Sequence, residues 1–218
     1  MEAQPHPEST PVQREPLAAP AGDRLRVAVI GAIGPHKGFE ILVSCARYAW
    51  ERRIPIDFVV IGHVCRPQEV RGLPNVSVTG PYRESEVFDR IREQGVSIAF
   101  FPAVWPETYS FTLSVALAAG LFPVAFDIGA IAERIRETGY GHLLKFTRDP
   151  AECVAALLEA APHAGQPPPA AAGAAYASIL RDYYGSPAVS PSCGSQGTPA
   201  GGVNANRAAA ANPENPAS

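Results

Sequence analysis

Residues 31–38 combine two kinds of group that bind anions, permissive glycines and a positive charge. They read Gly-Ala-Ile-Gly-Pro-His-Lys-Gly and lie between an apolar run and a stretch of helical spacing. Gly31 and Gly34 let the backbone approach a ligand closely, Lys37 supplies a charge, and a helix N-terminus favours an anion. The spacing is neither that of a Walker A loop nor that of GxGxxG. The segment therefore fits a phosphate-binding loop and a plain glycine turn with a solvated lysine about equally.

Residues 105–110, Trp-Pro-Glu-Thr-Tyr-Ser, place a carboxylate beside several hydroxyl groups at the start of another helical stretch. Glu107 is suited to accept hydrogen bonds from sugar hydroxyls, and the backbone N–H groups of residues 109–111 are suited to hold a diphosphate. An ordinary helix start explains the same residues, with Glu107 complementing the helix dipole and Thr108 as N-cap. Position in the sequence does not separate the two interpretations.

The other candidate residues give weaker signals. Gly129 begins a helical stretch, where it either approaches a ligand or forms a turn, and Glu133 fits a surface or packing carboxylate better than a functional one. His63 and His36 follow predicted strands, and His63 would face a nucleotide base, but a lone loop histidine is also commonly solvated. The spacing indicates no Ser–His–Asp or Cys–His set, and no carboxylate pair suited to glycoside hydrolysis.

These candidates follow the predicted strands of one α/β layer. Apolar runs predict strands at 24–31, 56–62, 75–80, 96–102 and 122–126. Helical spacing or composition predicts helices at 38–52, 84–94, 108–119, 129–138, 149–160 and 170–184. This order is typical of a single Rossmann-like, doubly wound parallel sheet. In such sheets ligands bind beyond the carboxyl ends of the strands, which is where the candidates lie.

The two ends of the chain differ in composition from its middle. Of 23 prolines in 218 residues, five lie in residues 1–23 and five in residues 185–218. Both ends are poor in aromatic and branched apolar residues, so neither buries enough surface to offset the entropy of ordering it. We therefore predict disordered tails at 1–23 and 185–218 and one domain at 24–184.

Composition also excludes several classes of protein. Between residues 23 and 184 the chain has 16 basic and 17 acidic side chains, so it has no electrostatic footprint for nucleic acid or anionic lipid. No apolar run approaches the roughly 18 residues that span a bilayer, and the N-terminus lacks a secretory signal, so we expect a cytoplasmic protein. The four cysteines are widely spaced and indicate neither a metal site nor a disulfide framework.

Five segments together resemble the donor-binding C-terminal domain of retaining, family-four glycosyltransferases of the GT-B architecture. They are V-A-V-I-G-A-I-G-P-H-K-G (27–38), F-V-V-I-G (58–62), N-V-S-V-T-G (75–80), F-P-A-V-W-P-E-T-Y-S-F-T-L-S-V-A-L-A-A-G (101–120) and F-D-I-G-A-I-A-E-R-I (126–135). The most specific part is W-P-E-T-Y-S followed by A-L-A-A-G. The resemblance implies hexosyl transfer from a nucleotide-diphosphate sugar, which is the donor substrate, with no cofactor and no metal.

The resemblance also implies a role for each matching residue. Lys37 would bind the donor diphosphate with help from the amides of Gly31 and Gly34, and Glu107 would contact hydroxyls of the transferred sugar. Lys37 and Glu107 are thus the catalytic candidates. The remaining donor-binding positions are Gly62 and His63 near the base, Thr108, Tyr109, Ser110 and Phe111 near the phosphates, and Val115 near the ribose.

Three departures from the family pattern affect the expected activity. Val115 stands where the family has a second glutamate that holds the ribose, and loss of a charged acceptor costs about 1.5–3 kcal/mol of donor binding. Ala32 stands where an arginine is frequent. The N-terminal half, which holds the acceptor, has no counterpart in this sequence. We therefore expect a donor-binding domain that needs a separate N-terminal acceptor half, or a non-catalytic nucleotide-sugar-binding module. An unrelated Rossmann oxidoreductase is disfavoured, because neither GxGxxG nor a ribose-binding acid after the second strand is present.

Overall fold

The computed structural model of the chain describes residues 24–169. The predicted tails and the predicted helix at 170–184 lie outside the described residues. Among residues 24–169, no helix combines the length and apolar character needed to cross a bilayer.

The described residues form one six-stranded parallel sheet with helices between its strands. The strands are β1 (Leu25–Ile33), β2 (Ile56–Val64), β3 (Val76–Val78), β4 (Ile98–Phe101), β5 (Phe122–Phe126) and β6 (His142–Leu144). Their order across the sheet is β3-β2-β1-β4-β5-β6, and every neighbouring pair is parallel. The strand order reverses between β1 and β4, so a ligand crevice is expected at their carboxyl ends. The predicted doubly wound, Rossmann-like fold is confirmed.

The helices are α1 (Phe39–Glu51), α2 (Pro67–Val70), α3 (Val87–Gln94), α4 (Phe111–Ala118), α5 (Gly129–Thr138) and α6 (Pro150–Ala160). Three 3₁₀ turns accompany them, at Pro35–Lys37, Glu84–Glu86 and Ala161–His163. Helix α1 follows the first turn at once, and α4 and α5 follow the loops after β4 and β5. These three helices therefore begin at the carboxyl edge of the sheet.

The core lies on both faces of the central strands. All residues of β4 and β5 are buried, which explains why these strands read as continuous apolar runs. Strands β1 and β2 pair along their whole length, from Leu25 opposite Ile56 to Ile33 opposite Val64. Gly62 lies opposite Gly31, and a Cβ on Gly62 would lie 2.1 Å from the Gly31 carbonyl oxygen. This close approach, at a φ of +136°, requires a glycine at position 62.

The structure differs from the sequence predictions in several local details. Strands β1 and β2 run past their glycines to Ile33 and Val64, because each continues to pair with the other. The predicted helix at 108–119 begins at Phe111 with Ser110 as its N-cap, so the alternative interpretation in which Thr108 is the cap was wrong. The four-residue α2 and the three-residue β6 were not predicted, since elements this short show no periodicity.

Candidate functional site

Two loops that are far apart in the sequence are joined at the carboxyl edge of the sheet. The N–H of Val104 donates to the carbonyl oxygen of His36 at 3.0 Å. Gly38, with a φ of +80°, packs so closely that a Cβ would lie 1.9 Å from the carbonyl oxygen of Pro102. The chain thus folds the turn after β1 directly against the loop after β4.

This packing brings together the two residues predicted to be catalytic. The Nζ atom of Lys37 lies 3.8 Å from Oε1 of Glu107. The Lys37 side chain is 40% exposed and that of Glu107 is 20% exposed, so both reach solvent at the mouth of the site. An ion pair with this exposure contributes only about 0–1 kcal/mol to stability. Both charges are therefore available to a ligand at little cost to the fold.

The pair lies in an open cleft of about 580 Å³. Its lining residues are His36, Lys37, Trp105, Pro106, Glu107, Thr108 and Tyr109. A second space of about 20 Å³, also lined by Lys37 and Glu107, reaches Thr112 and Ile131 and is too small for more than one water molecule. The open cleft falls within the size range of small-molecule sites, so it is the candidate binding site.

The N-terminus of α4 borders the predicted site. Ser110 has extended backbone geometry, and its Oγ accepts from the N–H of Leu113 at 3.4 Å, which caps the helix. The first N–H groups of an α-helix have no carbonyl partner within the helix, and Phe111 and Thr112 supply those groups here. Gly31 lies against this turn, since a Cβ there would be 3.3 Å from Cγ2 of Thr112. A glycine in β1 and the start of α4 therefore meet at the strand-order reversal.

Helix α5 holds the backbone of Glu107 in place. The N–H of Ala130 donates to the carbonyl oxygen of Glu107 at 3.0 Å. Gly129 has a φ of +61°, and a Cβ there would lie 2.9 Å from Cα of Pro106. Gly129, the first residue of α5, thus packs against the site loop. Glu133 is exposed, as the sequence favoured.

Several residues of the predicted donor site do not line the cleft. Gly62 and His63 lie inside β2 instead of in a turn after it, because β2 continues to Val64. His63 is exposed and pairs in register with Ala32. The Gly34 backbone is open, with no atom within 4 Å of the place where its Cβ would be. Val115 is only 9% exposed and belongs to the hydrophobic core.

Two residues of the site region were missed by sequence reasoning. Trp105 is 64% exposed and lines the cleft, with its ring edge-on to His36 at 6.1 Å between centroids. Its sequence signals were its place two positions before Glu107 in a loop and at the start of the W-P-E-T-Y-S stretch. Arg134 of α5 contacts residues at the start of α4. No signal identified Arg134, because its role depends on how α5 packs against α4.

Among residues 24–169, no group of three or more His, Cys, Asp or Glu side chains is arranged to hold a metal ion. Burial raises the pKa of Tyr140 to about 12, but this residue packs on Phe122 and lies outside the cleft lining.

A family model described as glycosyl transferases group 1 matches residues 24–162. The chain belongs to this family. No curated protein sequence gives a significant match to the chain. The match covers β1 to α6 and thus every element that builds the cleft.

Solved structures of glycosyltransferases share the fold of this member of the family. HepE of Anabaena in complex with UDP-glucose is 15% identical, with a TM-score of 0.54 over 73% of this chain and 44% of that one. Sucrose-phosphate synthase of Thermosynechococcus elongatus is 16% identical, with a TM-score of 0.53 over 75% and 46%. The C-terminal domain of the group 1 protein LpcC of Francisella tularensis is 17% identical, with a TM-score of 0.51 over 73% and 86%. The chain therefore spans less than half of the first two structures and most of the isolated C-terminal domain.

Proposed function

We propose that this domain binds a nucleotide-diphosphate sugar as the donor for retaining hexosyl transfer. The observation that carries the proposal is the approach of Lys37 to Glu107, 3.8 Å apart in a cleft beside the N-terminus of α4. A cation and a helix N-terminus suit a diphosphate, and a partly exposed carboxylate suits sugar hydroxyls. Membership in the glycosyl transferases group 1 family and the fold shared with HepE support this assignment.

The proposed reaction places a separate task on each group. Lys37 and the amides at the start of α4 hold the diphosphate and stabilise the negative charge that develops on it as the bond from the anomeric carbon to the phosphate oxygen breaks. Glu107 accepts hydrogen bonds from the sugar hydroxyls and orients the ring. The acceptor oxygen forms its new bond to the same face of the anomeric carbon, and its proton passes to the departing diphosphate. The nucleotide sugar is the substrate, and we propose no further cofactor.

We propose that a separate N-terminal Rossmann-like half supplies the acceptor site. The support is the share of known structures that the chain spans, 44% of HepE and 86% of the LpcC C-terminal domain. The cleft opens at the carboxyl edge of the sheet, so a second half would cover it from that side. Such a partner would bring the acceptor hydroxyl to the sugar that Glu107 holds.

A second candidate is a nucleotide-sugar-binding module without transferase activity. The observation that favours it is Val115, which is buried in the core at the position where the resemblance implies a ribose-binding glutamate. A valine accepts no hydrogen bond from ribose hydroxyls, so donor affinity would be lower and release faster. The two candidates share the same donor site and differ in donor affinity and in whether an acceptor half completes the site.

Calorimetric titration of the full chain with UDP-, ADP- and GDP-linked hexoses tests the proposal. We expect millimolar or tighter binding of at least one donor, and weaker binding of the corresponding free sugar. A chain shown by circular dichroism to be folded that binds none of these donors at millimolar concentration would overturn the proposed function. Transfer to an acceptor by the full chain alone would refute the need for a second half.

A further inference from the structure

Arg134 of α5 forms two hydrogen bonds with the N-terminal turn of α4. Its Nη1 atom donates to the carbonyl oxygen of Ser110 at 2.9 Å, and its Nη2 atom donates to Oγ of Ser114 at 2.7 Å. Ser110 is the N-cap of α4 and Ser114 is fully buried. The fixed fork of a guanidinium thus clamps both ends of the first turn of the helix.

The same guanidinium contacts a residue that lines the cleft. Its Cζ atom lies 4.9 Å from the centre of the Tyr109 ring, in a cation–π contact. The hydroxyl of Tyr109 in turn lies 3.1 Å from Oγ of Ser114. Arg134, Ser114 and Tyr109 form a closed network, so the cleft wall and the start of α4 are held by one side chain.

The charge of Arg134 adds to the positive potential at the N-terminus of α4. The N-terminus of a helix carries a partial positive charge, and a cation beside it is repelled. Both hydrogen bonds from Arg134 end on neutral oxygen atoms, at Ser110 and Ser114, so neither bond neutralises the guanidinium. The positive potential at this end of α4 is therefore higher than the helix alone provides.

We propose that Arg134 is a positioning residue for the diphosphate of the donor, acting through Ser110, Ser114 and Tyr109. It holds the amides at the start of α4 and the Tyr109 backbone in the geometry that receives the phosphates. This inference rests on the proposed function, because it assigns a determinant of donor affinity to the same site. Helix α5 thereby supports both groups of the site, Glu107 through its backbone and the α4 N-terminus through Arg134.

The test compares full-length variants in titrations with UDP, ADP and GDP and with the matching nucleosides, the latter followed by ligand-observed NMR. Displacing a binding group by about an ångström strongly lowers its contribution to ligand affinity. We therefore expect R134M and R134K to bind the preferred diphosphate about tenfold more weakly than the unchanged chain. Lysine does not restore diphosphate affinity, since one ammonium group cannot reach both acceptor oxygens and also stack on the Tyr109 ring. Nucleoside affinity stays the same. The variant S114A removes one of the two acceptors of Arg134, and we expect it to lose less diphosphate affinity than R134M does.

The variant R136M is the matched control on the same helix. Arg136 pairs with Asp127 at the surface and is 53% exposed, so we expect diphosphate affinity within twofold of the unchanged chain. Hydrogen exchange adds a readout that does not need a ligand. The amides of Leu113 and Ser114, which donate to the Oγ and the carbonyl oxygen of Ser110, should exchange faster in R134M than in R136M, while the strands keep their protection.

Each outcome decides one claim. Three results would overturn the positioning role while leaving the proposed function in place. They are unchanged diphosphate affinity in R134M, diphosphate affinity in R134K equal to that of the unchanged chain, or an equal loss of affinity for diphosphate and nucleoside. Faster exchange at the amides of Leu113 and Ser114, together with a loss of affinity for the diphosphate alone, supports it. If the unchanged chain binds no nucleoside diphosphate, the proposed function is wrong and the inference falls with it.

Discussion

Replacing Lys37 by methionine separates binding from stability at the candidate site. Methionine keeps the length of the side chain and removes its charge. The ion pair with Glu107 has an Nζ–Oε1 distance of 3.8 Å and a 40% exposed lysine, so its loss changes the free energy of unfolding by no more than about 1 kcal/mol. A charge-assisted bond to a phosphate is worth about 1.5–3 kcal/mol, which corresponds to a tenfold to hundredfold loss of donor affinity.

Glu107→Gln should lower affinity for the sugar part of the donor, an effect that differs from the loss expected in K37M. The amide keeps the size of the side chain, and the position of its backbone is fixed by the N–H of Ala130. If Glu107 binds sugar hydroxyls, E107Q weakens binding of the nucleotide sugar and leaves binding of the nucleoside diphosphate unchanged. K37M should weaken the binding of both ligands by the same factor, because both contain the diphosphate.

Calorimetry on these two variants, with K145M as control, checks the assignment. Lys145 is exposed and does not line the cleft, so its replacement removes the same charge elsewhere. We expect K145M to bind both ligands as the unchanged chain does. Losses below twofold in K37M, or equal losses in K37M and K145M, would refute the reasoning that Lys37 contacts the diphosphate.

Three further predictions concern the packing of the domain. Val115→Glu should lower the free energy of unfolding in urea by about 2 kcal/mol or more, because it buries an unpaired carboxylate in the hydrophobic core, and unchanged stability would contradict the burial of this position. Gly38→Ala should cost about 2 kcal/mol or more in urea unfolding, because the Cβ would lie 1.9 Å from Pro102, whereas Gly34→Ala, with open space, should cost far less; equal costs would contradict this. Burial raises the pKa of Tyr140 to about 12, so the folded state favours the neutral phenol and loses at most about 3 kcal/mol of stability between pH 10 and 12. Tyr140→Phe should lack this loss, and identical pH profiles of unfolding for both proteins would rule the explanation out.

Much of the fold was predictable because its central strands are buried on both faces. The residues of β5 and α5 were predicted at their observed bounds, Phe122–Phe126 and Gly129–Thr138, since an apolar run and flanking glycines mark them. The short β6 was not predicted, because its three half-buried residues pair only with β5 at one edge of the sheet. Its formation depends on a strand already in place and not on a local pattern.

The candidate site was predictable only where it depends on the carboxyl ends of strands. That rule placed Lys37 and Glu107 at one edge of the sheet, and the structure brings them within 3.8 Å. The choice of Ser110 over Thr108 as the cap of α4 depends on backbone geometry that both residues permit. Arg134 depends on the packing of two helices, which single-sequence periodicity does not contain.

Fluorescence of Trp105 tests most directly that the cleft is the donor site. The chain has two tryptophans, and Trp50 lies on α1, away from the cleft lining, so W50F leaves Trp105 as the reporter. Titration of W50F with the nucleotide sugar found by calorimetry should change the Trp105 emission with the same dissociation constant. Binding by calorimetry without any change in Trp105 emission would contradict the assignment of the cleft as the donor site.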